Sequence, residues 1–132
     1  TRTLAAWVGG QDSIPAQHLV YIGGPTSAPG YDFHQFASRA AVSERVELQF
    51  PVPFPSFSLG RYGKTPASIT LAPFVNGVWL DHASDERSGW QPSAGLGVLT
   101  LFDLLRFDVA RGFAEGRWKF SVDVSRDLWS IL

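Results

Sequence analysis

The chain has 132 residues, of which 17% are charged and 45% hydrophobic, with a formal net charge of -1. That is enough apolar material for one packed unit. It excludes a disordered polyelectrolyte, and scattered Lys and Arg offer no nucleic-acid surface. Absence of Cys excludes a disulfide scaffold, a thiolate metal site and a Cys nucleophile, and no run approaches the ~18 apolar residues of a transmembrane helix. Aromatics at 14%, with 13 Gly and 9 Pro, favour strands and turns over helices. With no Met and a start at Thr1, the chain is expected to be processed or cut from something longer.

Residues 3–8 and 18–23 read as short strands, separated from the next by a Gly/Pro-rich loop over 24–37 (GPTSAPGYDFHQFA). Residues 39–50 form a long strand whose polar face carries Arg45, Glu47 and Gln49, running into Pro51 and a Pro-punctuated link over 51–66. Residues 68–80 (SITLAPFVNGVWL) form another strand, in which Pro73 and Gly77 mark a bulge or an irregular edge. A polar loop over 81–91 follows.

The last third has the cleanest periodicity. In RWKFSVDV, Trp118, Phe120, Val122 and Val124 share one face, and Arg117, Lys119, Ser121 and Asp123 the other. LRFDVA alternates likewise, with Leu105, Phe107 and Val109 opposite in orientation to Arg106, Asp108 and Ala110. The short RGFAEG turn makes these a hairpin, and residues 92–104 are expected to extend its first strand. Two registers keep the apolar sets together. One opposes Arg106 to Asp123, the other Asp108 to Lys119, and both pair opposite charges. The whole is an all-β antiparallel meander of about five to six long strands over residues 1–132, a single unit.

Alternation alone leaves open whether the apolar face points into a protein core or outward into lipid. Three features favour lipid. Several strands reach the ~9–11 residues that cross a bilayer obliquely. The polar face carries the pairs Arg45/Glu47 and Arg106/Asp108, suited to a wet lumen. Trp7, Trp79, Trp90, Trp118 and Trp129 fall near strand ends, where an interfacial girdle lies. Long loops at 24–37 and 81–91 against shorter connections at 51–66 and 111–116 fit the same picture.

The order of short motifs resembles the last quarter or so of an outer-membrane barrel of the Omp85 (bacterial surface antigen) superfamily. That family shows paired glycines leading to an Arg-Gly-Phe/Tyr loop, a Glu-x-x-Phe-Pro strand, a Phe-Val-Asp-x-Gly strand, and a Gly-x-Gly strand ending in Leu-Arg-x-Asp-x-Ala. Here Gly23 and Gly24 match the paired glycines, and Gly30 and Tyr31 the end of the inward-folding loop. Glu47, Phe50 and Pro51 match the next strand, then Phe74, Val75 and Gly77, then Gly95, Gly97, Leu105, Arg106, Asp108 and Ala110. Pro29 stands where the family's loop arginine would be, so that residue's ion pair in the lumen does not form. Asn76 replaces the usual Asp, and the chain ends in Leu132 rather than Phe. The resemblance implies a location in the bacterial outer membrane and a role in inserting or translocating proteins there. Its partners would be membrane lipid and the remainder of the barrel, since five or six strands are fewer than the ~8 that close one.

Catalytic and cofactor signatures are missing from the sequence. GGPTSAPG has the wrong spacing for a phosphate loop, with Tyr31 where a Lys belongs. His18, His34 and His82 share no ligand spacing, Asp81, Asp85 and Glu86 read as a solvated loop rather than a calcium site, and no nucleophile elbow occurs. Asp108 and Asp123 lie beside basic residues, as structural pairs do. No enzyme, cofactor or metal is expected in these residues; a patatin-like lipase, which some relatives of the resembled family carry upstream, would lie outside them. The competing expectations are a soluble all-β binding module and a passive, porin-like barrel.

Overall fold

The computed structural model describes residues 1–8, 15–81 and 88–124. Among these, nine strands occur: β1 (Arg2–Trp7), β2 (Val20–Ile22), β3 (Phe36–Ser38), β4 (Ala40–Glu47), β5 (Phe50–Pro53), β6 (Ser68–Asp81), β7 (Gly89–Thr100), β8 (Leu105–Gly112) and β9 (Trp118–Val124). The strand pairs are all antiparallel. One large sheet runs β1-β4-β6-β7-β8-β9, with β5 also beside β6, and β2 pairs with β3 in a separate ribbon. The chain is therefore all-β and meander-like, as the periodicity predicts. Trp129 and Leu132, together with His82, Asp85 and Glu86, lie outside the described residues.

β4 and β5 are one strand in all but hydrogen bonding. The register that pairs Ala40 with Asp81 and Glu47 with Phe74 continues unbroken to Phe50 opposite Leu71 and Pro53 opposite Ser68. The gap falls at Leu48, whose N–H reaches the Pro73 carbonyl at 3.1 Å while Pro73 has no N–H to return. Pro73 thus removes one rung without making a bulge, and the β6–β7 ladder passes both Pro73 and Gly77 in constant register. The strand expected to stop before Pro51 runs on to Pro53. Pro51 and Pro53 fit because their N–H positions face away from β6.

Residues 92–104 do not extend the hairpin strand. β7 ends at Thr100, the chain reverses over 101–104, and β8 returns beside it with Thr100 opposite Leu105 and Ser93 opposite Gly112. Neither Gly nor Pro marks this turn. Leu101, Phe102 and Asp103 adopt φ of 52°, 62° and 62°, a left-handed path costing L-residues roughly 1–2 kcal/mol each. The flanking ladder, not local propensity, holds it. The extra reversal places the 113–117 turn at the same end as the 8–39 and 82–88 connections, so the expected split of loop lengths between the ends is not the one observed. The terminal hairpin takes the first of the two registers, with Arg106 opposite Asp123.

The large sheet is inside-out by the standard of a water-soluble protein. One face carries Val46, Val75, Trp90, Leu96, Val109, Trp118, Phe120, Val122 and Val124, all exposed, with Phe120 at 66%. No second layer covers it among the described residues. The opposite, concave face carries Ser43, Arg45, Asn76, Gln91, Ser93 and Asp108, all buried. What buries them is the β2–β3 ribbon and its loop, folded over the concavity. A small apolar cluster of Ile22, Ala28, Tyr31, Phe36, Ala41, Val78 and Leu80 fastens that cover to β4 and β6.

Candidate functional site

Four charged side chains meet on the concave wall. Arg45 and Glu47 project from alternate positions of β4, and Arg106 and Asp108 from alternate positions of β8, so period two puts each pair on one face. Arg45 Nη2 donates to Glu47 Oε2 at 2.8 Å and lies 3.8 Å from Asp108 Oδ2. Arg106 donates through Nε to both Asp108 oxygens at 2.9 Å, and through Nη1 and Nη2 to Glu47 at 3.0 and 2.7 Å. Both ends of the Arg106 fork are thus filled. The network joins two guanidiniums and two carboxylates, with Gln49 Nε2 also donating to Glu47 Oε1 at 3.0 Å; side-chain exposures are 10%, 15%, 15% and 4% for Arg45, Glu47, Arg106 and Asp108.

The floor of this network explains the Gly-x-Gly spacing. The Phe74 ring leans across β7, and Arg45 stacks on its other side at 3.7 Å from the ring centre. A Cβ on Gly95 would sit 2.5 Å from Phe74 Cζ, and one on Gly97 would sit 2.6 Å from both Arg106 Nη2 and Asp108 Oδ1. At Gly95 the obstruction includes the Val109 carbonyl of β8, whereas at Gly97 it is made by side-chain ends that would have to shift. Glu47, Phe74, Gly95, Gly97, Arg106 and Asp108, picked out separately along the sequence, therefore converge on one cluster. Arg45 belongs to it equally and was legible only as a polar-face charge. An open cleft of about 450 Å³ lies against the network, flanked by Pro25, Thr26 and Asp123.

The other singled-out residues lie in the covering loop or on the outer face. Gly23 and Gly24 start the loop, where the Ser27 hydroxyl donates to the Gly23 carbonyl at 2.9 Å and Ala28 N–H donates to Gly24 at 3.0 Å. Gly30 (φ +91°) presses on β8 so closely that a Cβ would lie 2.5 Å from the Gly112 nitrogen. The Tyr31 ring covers Gly112, and its hydroxyl donates to the Pro92 carbonyl at 2.8 Å. Gly112 was not singled out; its cue is a small residue at the inward end of β8. Ser43 donates to the Ser27 carbonyl at 2.6 Å, and Lys119 donates to Asp32 at 2.6 Å, so the loop is tied from β4 to β9. That bond and charge hold the Asp32 carboxyl below its ordinary range. Gly77 is not part of this interior; it lies on the outer face beneath the Trp90 ring.

Comparison with models of known protein families gives no match, and comparison with curated proteins gives none either. Chemically, the network has no group poised to react. Each carboxylate is held by arginine, and among the described residues no cluster of His, Asp and Glu has the arrangement of a metal site. Its arrangement is that of a strut joining β4 to β8 beneath the covering loop.

Proposed function

We propose that this chain is the carboxy-terminal part of an outer-membrane β-barrel of Omp85 type, acting in insertion or translocation of proteins at that membrane, and that it contributes wall and inward loop rather than catalysis. The observation carrying the proposal is the polarity of the sheet. An exposed apolar face and a buried charged one are costly in water and favourable in a bilayer, where a barrel turns its apolar face to lipid. Along β6 the outward face from Trp79 to Ile69 rises about 23 Å at ~3.3 Å per residue and ~45° tilt, close to the ~25 Å apolar band of such barrels. Trp7, Trp79, Trp90 and Trp118 mark one end of it: Trp79 lies opposite Trp90, and Trp7 opposite Ala40, the first residue of β4. Glu44, also outward, lies one pleat from that border and is bonded by Thr3.

Among the described residues the edges of β1 and β9 have no strand beside them, and open backbone has no place in hydrocarbon, so this reading needs further strands to complete the wall. The passive, porin-like reading shares all of this and differs in activity; the loop filling the concavity favours a gated or plugged wall over an open pore. Purification tests the membrane reading. The intact protein is expected to require detergent or lipid to remain monodisperse, and Phe120→Asp or Val122→Asp to block its assembly into vesicles. A detergent-free, monodisperse protein would sink the proposal in favour of the soluble module.

A further inference from the structure

Below the neighbouring turn at 101–104, the hairpin formed by β5 and the start of β6 continues on its own. Phe54 N–H donates to the Ala67 carbonyl at 2.9 Å and Thr65 N–H to the Phe57 carbonyl at 2.8 Å, closing a finger whose tip is a single 3₁₀ turn, Gly60–Tyr62. Pro51 and Pro53 offer no N–H on the side away from β6, so the finger is not shaped to gain a further strand there. Its side chains are conspicuous. Phe54, Phe57, Leu59 and Tyr62 are exposed, Tyr62 by 77%. The only charged residues from 50 to 67 are Arg61 and Lys64, both basic and both exposed.

We propose that this finger is a phospholipid headgroup anchor, in which Arg61 and Lys64 bind lipid phosphates while Phe54, Phe57, Leu59 and Tyr62 enter the interfacial layer. The inference rests on the membrane reading above and adds a binding element to it. Its apolar residues continue the outward band of the sheet through Leu48 and Phe50, which are also exposed. Depth agrees as well. The Phe57–Thr65 pair lies roughly 33 Å below the Trp79 row at ~3.3 Å per residue and ~45° tilt, just beyond a ~30 Å hydrocarbon core and in the headgroup layer, which adds about 5–7 Å on that side. Aromatic rings with a polar edge favour that layer, and the Arg61 guanidinium, 5.0 Å from the Tyr62 ring centre, pairs a cation with one. Charge complementarity selects phosphate over an acidic-poor apolar partner.

The test uses the intact protein, with a single introduced thiol, in vesicles of phosphatidylcholine alone or mixed with phosphatidylglycerol. A nitroxide at Tyr62→Cys, or at Leu59→Cys as a second site, reports the finger; one at Val75→Cys reports the sheet. Expected is a Val75 label exposed to dissolved oxygen and shielded from an aqueous nickel complex. The finger label should sit at headgroup depth, more deeply shielded with phosphatidylglycerol present, and return to water when Arg61→Glu and Lys64→Glu are combined. A lipid-embedded Val75 label with a finger label as nickel-accessible as free nitroxide would overturn the anchor and leave the membrane reading intact. Shielding that ignores both lipid charge and the double substitution would also overturn it, pointing to a protein partner. A water-exposed Val75 label would remove the membrane reading and the anchor together.

Discussion

Arg106 donates to Glu47 at 2.7 Å although β6 and β7 lie between their strands. Three inter-strand steps of ~4.8 Å put those backbones about 14 Å apart along the sheet. The two side chains close that distance because the sheet is concave on this face and Gly97 leaves nothing to climb over. The contact is therefore a measure of curvature as much as of charge.

Removing one charged member of this network should cost far more than a surface pair does. Glu47→Gln strands two guanidiniums with one carboxylate, and a loss of about 3–5 kcal/mol is expected. Urea unfolding of the protein in detergent measures it. A double-mutant cycle with Arg106→Gln should return strong coupling, since the second change removes the charge that the first leaves unpaired. Independent, additive losses would show that the network is not a unit.

Gly95→Ala and Gly97→Ala probe the floor. At Gly95 the new methyl meets Phe74 Cζ and the Val109 carbonyl, both at 2.5 Å, so the backbone of β8 must move. At Gly97 the nearest atoms are the side-chain ends of Arg106 and Asp108, which yield more readily than backbone does. Overpacking costs ~1–3 kcal/mol, with Gly95→Ala expected at the upper end and Gly97→Ala below it. The reverse order would contradict the packing described.

Tyr31→Phe deletes one hydrogen bond, to Pro92, and keeps the ring over Gly112. About 0.5–1.5 kcal/mol of loop docking should be lost. Gly112→Ala should cost more, because its methyl would lie 2.7 Å from the Tyr31 ring. Limited proteolysis within 24–37 reads both: cleavage should rise slightly in the first variant and strongly in the second.

The Lys119–Asp32 pair gives the loop a dependence on acid. The Asp32 carboxyl is held below its ordinary value of 3.8 by the Lys119 hydrogen bond, so its contribution is present in full above that value. It fades as pH falls through the lowered folded-state value. Protease sensitivity of the loop should therefore increase on acidification below about pH 4, and Asp32→Asn should flatten that increase while raising sensitivity at neutral pH. An unchanged acid profile in Asp32→Asn would assign the dependence elsewhere.

Side-chain order alone determined much of this protein. Period two fixed β6, β8 and β9 and sorted their residues onto two faces, because a strand's alternation is local and needs no partner. It also narrowed the terminal hairpin to two registers. The residues resembling a family motif were visible one by one, but their meeting point was not. Arg45's approach to Asp108 and Gly112's place beneath Tyr31 appeared only when curvature brought β4 toward β8 and the loop down onto β8. β2 left the main sheet for the same reason: its strand pattern says nothing about which edge it pairs with. The 101–104 turn was hidden because Leu101 and Phe102 carry no turn signal and Asp103 alone is a weak one, and the left-handed conformations are imposed by the β7–β8 ladder. Which face of the sheet is covered, open in the sequence, was decided by the loop. A loop occupying the charged concavity leaves Phe120, Val122 and Trp118 facing outward, and burial is a property of the assembled chain rather than of any segment in it.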